Sequence, residues 1–211
     1  MKSALHRDLT RILGDGRVSS DGETLARFAG DALGVYRAFR RAPDLDARAS
    51  VITWPTSSEQ VASVLKYANE RRIPIVPYGG GTGVMGGAVS VNDSIVLNTQ
   101  RINRVLDVNS QNLTVRVEPG AILQSVHNVL KPQGPRLGQD PWSRPIATIG
   151  GAISTDGVGY TAAAYGSIGS RFWGWKSPSR QGSLLRHGQC LKARTAHLWT
   201  GCSSAPRARW E

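Results

Sequence analysis

The sequence predicts an α+β fold, and three features of the 211-residue chain carry that expectation. Short apolar runs bounded by turn residues ("SVITWP", "IPIVPY", "SIVLNT") have the length of buried strands. Around them, apolar residues recur every three to four positions, the spacing of helices with one buried face. At the end of one such strand, "VPYGGGTGVMGGAV" (76–89) has glycine at six of its fourteen positions. Glycine loses more freedom on folding than any other residue, so this run implies a backbone that something must approach closely.

Residues 1–45 read as a helical lead-in. "SALHRDLTRILG" sets Leu5, Leu9, Ile12 and Leu13 at helical spacing with Gly14 as the stop, and "SSDGETLARFAGD" suggests a second short helix. "SVITWP" is a strand ended by Pro55. "TSSEQVASVLKYANERR" then places Val61, Val64, Leu65 and Ala68 on one face, opened by a capping box of Ser57 and Gln60. "IPIVPY" leads straight into the glycine run. "SIVLNT" and "LTVRVEPG" read as strands, with "QRINRVLDVNSQN" as the segment separating them. "AILQSVHNVLKPQG" is a helix closed by Pro132 and Gly134, with Ile122, Leu123, Val126, Val129 and Leu130 expected inward. A second small-residue stretch follows, "IATIGGAISTDGVGYTAAAYGSIG".

Gly81-Thr82-Gly83-Val84-Met85-Gly86 matches G-x-G-x-x-G after a strand. That motif binds a dinucleotide in a βαβ unit only where a helix opens from it. Here "AVSVNDSIVLNT" follows, a polar turn and a strand, so the βαβ reading fails. Consecutive backbone N–H groups of a glycine loop still make a donor site for anionic oxygens without a helix, and Thr82 adds a hydroxyl. The alternative is a tight turn or bulge. Six glycines exceed what a hairpin needs, which favours the anion cradle. The second stretch, with Gly150, Gly151, Ser154, Thr155, Gly157 and Gly159, signals less by itself, since small residues also serve close backbone packing.

No apolar run approaches the roughly 18 residues of a membrane span, and "MKSALHRDLTRIL" lacks a signal-peptide core. A cytoplasmic protein without a transmembrane segment is expected. The net charge of +11 points toward nucleic acid until its distribution is read. Residues 1–170 hold 18 Lys+Arg against 14 Asp+Glu, a net of +4, while residues 171–211 hold 8 against 1, a net of +7. The second segment also has four of the six Trp, both Cys, and no Ile or Val, which marks a boundary. Its His187, Cys190, His197 and Cys202 match no usual zinc-finger spacing, so no metal is expected. Trp173, Trp175 and Trp199 among basic residues imitate an RNA-binding arm, yet no nucleic-acid partner is expected. His6 and His127 read as surface or packing residues.

"SVITWPTSSEQVASVLKYANERRIPIVPYGGGTGVMGGAV", "VEPGA", "GQDPWSRPIATIGGAISTDGVGY" and "AAAYGSIG" occur in that order. Together they resemble the FAD-binding domain of flavin-linked oxidases such as D-lactate dehydrogenases and glycolate oxidase subunits. The resemblance covers residues 46–170. It implies a two-subdomain FAD-binding domain of the PCMH (vanillyl-alcohol-oxidase-like) type, incomplete at its C-terminus. It implies that Pro77, Tyr78, Gly79, Gly80, Gly81, Thr82, Gly83, Gly86 and Gly87 bind the FAD pyrophosphate. Asp140, Pro141, Ala147, Thr148, Gly150, Gly151, Ser154, Thr155, Gly157 and Gly159 would line the dinucleotide toward the isoalloxazine. Some relatives attach flavin through a His in the first segment; none lies between Val76 and Val89, so noncovalent FAD is expected.

The activity implied is oxidation of a 2-hydroxy acid by hydride transfer to flavin N5. The base and the carboxylate-binding Arg would come from a substrate domain outside this chain, so no catalytic residue is assigned and the chain alone is expected to be inactive. An enolpyruvyl-sugar reductase of the UDP-N-acetylenolpyruvoylglucosamine type, and a non-functional truncated product, are the alternatives.

The resemblance also implies a continuation past "YGSIG" through "VLGLE" and later "GAEGTLG", neither of which is present. If Arg171–Lys176 is encoded AGG-TTY-TGG-GGN-TGG-AAR, regrouping each last base with the next two gives Val, Leu, Gly, then Leu, Met or Val, then Glu, which matches "VLGLE". The same shift makes "LWTGCSSAPRARWE" compatible with "LDWLFIGAEGTLG". Residues 171–211 are therefore expected to be an out-of-frame tail.

Overall fold

The computed structural model describes residues 2–33, 49–134, 136–172 and 174–187. In chain order the elements are α1 (Lys2–Leu13), β1 (Val18–Ser19), α2 (Gly22–Arg27), β2 (Val51–Thr53), α3 (Ser58–Arg71), β3 (Ile75–Tyr78) and β4 (Ile95–Asn98). They continue as β5 (Val105–Asn109), β6 (Thr114–Val117), α4 (Leu123–Leu130), α5 (Ile149–Ser154), α6 (Ala162–Tyr165), β7 (Trp175–Pro178) and β8 (Leu184–His187).

β2, β4 and β3 are parallel in that spatial order, with β1 antiparallel on the β2 edge. Successive strand side chains point to opposite faces. Val51, Ile95 and Leu97 therefore meet α1 and α3 through Leu5, Leu9, Leu13, Val61, Val64 and Tyr67. Ile52, Val96 and Tyr78 point the other way, to Leu25 and Ala49, with Phe28 and Trp54 beside them. Burial on both faces is why these strands read as unbroken apolar runs rather than alternating ones. The Tyr67 hydroxyl donates to Asp8 Oδ2 at 2.8 Å and ties α3 to α1. Gly14 ends α1 as expected, with φ of +92° and its N–H on the Thr10 carbonyl.

A second core lies outside this sheet. Leu123, Val126 and Leu130 of α4 pack with Ala121, Ala147 and Ile149, flanked by Val105, Val108, Val115 and Val117 of the β5–β6 pair. The two cores are the two subdomains. The β7–β8 hairpin is antiparallel and contacts α3, where Lys176 Nζ lies 3.7 Å from Glu59.

Three expectations are corrected. The connection "QRINRVLDVNSQN" contains β5, a strand paired with β6, because Val105 and Val108 face the second core while Leu106 and Asp107 are exposed. Ile122 and Val129 are exposed rather than inward. Only 123, 126 and 130 share the buried stripe of α4; the positions one residue before 123 and 130 face outward. The capping box is displaced as well. Ser57 Oγ accepts from the Gln60 N–H at 3.3 Å, but Gln60 Oε1 reaches the Thr56 N–H at 2.8 Å rather than that of the cap residue.

The βαβ dinucleotide motif is absent in the topology too, since β3 passes through a loop to β4 with no helix between. Among the described residues no helix is long and apolar enough to cross a membrane, and no group of three or more acidic, His or Cys side chains gathers for a metal. Residues 34–48 of the lead-in, Trp173, and Cys190, Trp199, His197 and Cys202 of the tail lie outside the described residues.

Candidate functional site

The glycine run links β3 to β4 as an open loop whose hydrogen bonding is one-sided. Gln100 Nε2 donates to the Gly79 carbonyl at 2.8 Å, the Ala32 N–H to the Gly83 carbonyl at 2.8 Å, and the Val89 N–H to the Gly86 carbonyl at 3.1 Å. No backbone N–H from Gly79 to Gly87 donates to another described residue. In a trans peptide a carbonyl and the following N–H point opposite ways across one plane. Pinning the carbonyls of 79, 83 and 86 thus turns the N–H groups of Gly80, Val84 and Gly87 away from their tethers. Several donors on one loop, none taken by another described residue, are what an anion needs.

The same loop meets the second glycine-rich stretch. A Cβ on Gly79 would come 2.5 Å from Thr148 Oγ1, and one on Gly80 would overlap the Ile146 carbonyl oxygen. Gly81 and Gly86 have φ of +65° and +76°, a region that favours glycine. Gly83 approaches Asp31 Oδ2, while Gly87 has open space around it. Pro77 and Tyr78 deliver the loop from β3, and the Tyr78 ring is buried edge-on to Phe28 at 5.1 Å. Burial first, and Asp31 nearby second, push the Tyr78 phenol up, so it stays neutral and uncharged beside the loop.

Beyond Ala147, the buried Thr148 caps α5, its Oγ1 accepting from the Gly151 N–H at 3.3 Å. Gly150 donates to the Pro119 carbonyl at 2.7 Å, and its missing side chain lets Pro119 pack there. The hydroxyls of Ser154 and Thr155 turn back onto the Gly150 and Gly151 carbonyls at 2.8 and 3.1 Å. Gly157 and Gly159 pack against Gln139 and Asp140. Asp140 Oδ1 accepts from the Thr161 N–H at 3.0 Å and hydroxyl at 2.9 Å. That N–H above all, aided by the hydroxyl, holds the carboxyl below the ordinary aspartate range. Pro141 follows, its carbonyl accepting from the Arg144 N–H at 2.9 Å.

The predicted residues therefore form two clusters. Gly79 and Gly80 meet Ile146, Ala147 and Thr148 at the start of α5. Gly157 and Gly159, with Asp140 against Gly159, follow the end of that six-residue helix. Thr82 lies in the first loop without a hydrogen bond to a described residue. Sequence reasoning missed Gln100, Asp31, the Val84 N–H and Arg171. Gln100 had a signal, since it closely follows the strand that pairs with β3. Asp31 had none, being about fifty positions upstream of the loop. Arg171 Nη2 bonds the Gln139 side chain at 3.3 Å and the Gly166 carbonyl at 3.1 Å, and burial lowers its pKa.

These residues fit a flavin dinucleotide. The N–H groups of the first loop match a pyrophosphate, and the side-chain-free positions let it approach the backbone. No described Lys or Arg is needed for that match.

A sequence model of the FAD binding domain family matches residues 49–188. D-2-hydroxyglutarate dehydrogenase of Xanthomonas citri pv. viticola is 36% identical over 140 residues, which are 66% of this chain and 30% of that protein. D-lactate dehydrogenase of Anaerostipes hadrus is 35% identical over 120 residues, 57% of this chain and 25% of that one. The chain thus spans less than a third of either relative. Among solved structures, alkyldihydroxyacetonephosphate synthase superposes with a TM-score of 0.79 at 21% identity, over 93% of this chain and 37% of its own. That likeness shows the fold, an FAD-binding fold of the PCMH type.

Proposed function

We propose, from a chain that belongs to the FAD-binding-domain family, that it is the flavin-holding portion of an oxidoreductase acting on a 2-hydroxy acid. FAD is the cofactor. The single observation that carries the placement is the run of backbone N–H groups between Gly79 and Gly87 that donate to no other described residue, beside carbonyls that are tethered from behind. In this reading those N–H groups take the pyrophosphate, and the rest of the dinucleotide follows α5 toward Asp140, Gly157 and Gly159. The ionised Asp140 orients that far end through Thr161 rather than moving a proton. FAD, when bound, supplies the hydride-accepting chemistry; the protein contributes binding, orientation and exclusion of water.

Attachment is proposed to be noncovalent, and the chain inactive alone. The substrate class comes from the names of the relatives, which act on 2-hydroxy acids; an enolpyruvyl-sugar reductase is not favoured. Purified chain incubated with FAD and gel-filtered is expected to retain visible flavin absorbance, all of it released by acid precipitation. Protein that elutes colourless overturns the binding reading. Flavin that stays in the acid pellet overturns noncovalent attachment. Oxidation of D-lactate or D-2-hydroxyglutarate by the loaded chain overturns inactivity.

Residues 171–211 are proposed to be read out of frame. The codon regrouping favours this, while the family match through residue 188 and the β7–β8 pairing pull the other way for its first part. Coding DNA with an alternate frame running on through "GAEGTLG" supports the proposal, and DNA without one overturns it.

A further inference from the structure

Upstream of the family domain, the chain from Ala29 to Leu33 lies against the glycine loop. Its contacts bracket the loop on both sides. The Ala32 N–H donates to the Gly83 carbonyl at 2.8 Å, and the Ala29 carbonyl accepts from the Ser90 N–H at 2.7 Å. Asp31 Oδ1 accepts from the Leu33 N–H at 3.0 Å and closes this short turn on itself. Asp31 Oδ2 fills the space beside Gly83, at 3.2 Å from where a Cβ would stand. The Leu33 side chain does the same beside Gly86, at 3.4 Å. At its base the segment is anchored by Phe28, edge-on to both Tyr78 (5.1 Å) and Trp54 (5.9 Å). Beyond Phe28 the turn that enters α2 is fixed by Asp21, which caps that helix through the Thr24 N–H at 2.9 Å.

We propose that Ala29–Leu33 is a positioning strap that aims the glycine loop at its ligand, and that the Val84 N–H is the pyrophosphate donor it sets. The strap takes hold of the loop by a carbonyl, so it uses none of the donors. By holding the Gly83 carbonyl it fixes the plane of the 83–84 peptide, and the Val84 N–H must then point away from the strap. A glycine-rich loop is the segment least able to fix that plane itself, because its residues have the widest choice of φ and ψ. Restricting the loop before binding removes an ordering cost that the ligand would otherwise meet. The proposal rests on the reading that the loop takes the pyrophosphate.

The test measures FAD affinity of the full chain by flavin fluorescence. Ala32→Pro deletes the tethering N–H, whereas Ala32→Gly keeps it. Val84→Pro deletes the donor that the tether aims. Ala32→Pro and Val84→Pro are each expected to weaken binding about tenfold, the scale of one hydrogen bond to a charged group. Ala32→Gly is expected to stay within about twofold of the parent. Because both proline variants act on one donor, the double variant is expected to be no weaker than the poorer single, a coupling that two independent structural defects would not show.

Gly80→Val, which blocks the loop directly, separates the two ideas. If Gly80→Val abolishes binding while Ala32→Pro leaves it unchanged, the strap is wrong and the loop reading stands. If neither changes affinity, the loop reading fails and takes the strap with it. Should Ala32→Pro not fold, hydrogen exchange on the unaltered chain decides. Ala32 and Ser90 amides that become about tenfold slower on FAD addition support the strap, and amides that do not respond overturn it.

Discussion

At the scale of single residues, the glycines of the site do different jobs, and substitutions should separate them. Gly80→Val places carbon on the Ile146 carbonyl and is expected to abolish FAD retention on gel filtration. Gly87→Ala meets no protein atom but sets a methyl where the ligand is proposed to reach the loop, so it is expected to weaken FAD about tenfold at unchanged stability. Unchanged affinity in Gly87→Ala would mean that the ligand does not reach the loop at that position. A second residue-scale expectation concerns Glu118, in the "VEPGA" turn that supports Gly150. Its carboxylate accepts from Arg104 side-chain nitrogens at 2.7 and 3.1 Å and from the Arg104 N–H at 2.7 Å. The Arg104 side chain first, then its backbone N–H, hold the Glu118 carboxyl below the ordinary range.

A carboxyl depressed in the folded state adds stability above its unfolded pKa of about 4.3, and that stability is lost as pH falls through the lower folded value. Urea unfolding at stepped pH is therefore expected to show a loss below about pH 5 that Glu118→Gln removes. With the Arg104 side chain 71% exposed, solvent screening keeps the pair's contribution, and hence that loss, small. At this scale the sequence was readable where glycine density required a close approach, as at Gly79 and Gly80. It was silent on Asp31 and Arg171, because nothing local says which distant side chain will fill the space beside a glycine.

At the scale of elements, helices with a single buried stripe and strands buried on both faces were legible, and half-buried pieces were not. β5 escaped because its pattern is irregular: a register shift between Val105 and Asp107 breaks the alternation that announces a strand. The end of α3 offers an expectation that local chemistry alone decides. Arg72 caps it in the left-handed region, φ +53°, a position where helices usually place glycine. A Cβ there costs about 1–2 kcal/mol, partly offset by the greater unfolded-state freedom of glycine. Arg72→Gly is expected to raise stability by about 0.5–1 kcal/mol, read as a higher urea midpoint at unchanged slope. Ser57→Ala at the other end is expected to lower it by about 1 kcal/mol, since the Gln60 N–H loses its acceptor. An unmoved midpoint in either variant would mean that the ends of α3 are fixed by packing rather than by their caps.

At the scale of the whole molecule, the charge and the site are separable, and salt is the means of separating them. The net of +11 is weighted toward residues 171–211, while the loop proposed to hold the pyrophosphate is built from backbone N–H groups. Amide donors in a fixed loop act at contact distance, so ionic strength screens them little; scattered Lys and Arg act over a Debye length of about 10 Å at 0.1 M and are screened strongly. FAD affinity is therefore expected to change by less than about threefold between 50 and 500 mM NaCl. Any association of the same protein with a single-stranded RNA is expected to fall by well over an order of magnitude across that range, as counterion release dictates. Titrating both ligands in parallel by fluorescence compares the two slopes directly. Should FAD binding weaken as steeply as RNA binding, the dinucleotide is held by side-chain cations, and the assignment of its phosphates to the glycine loop is wrong.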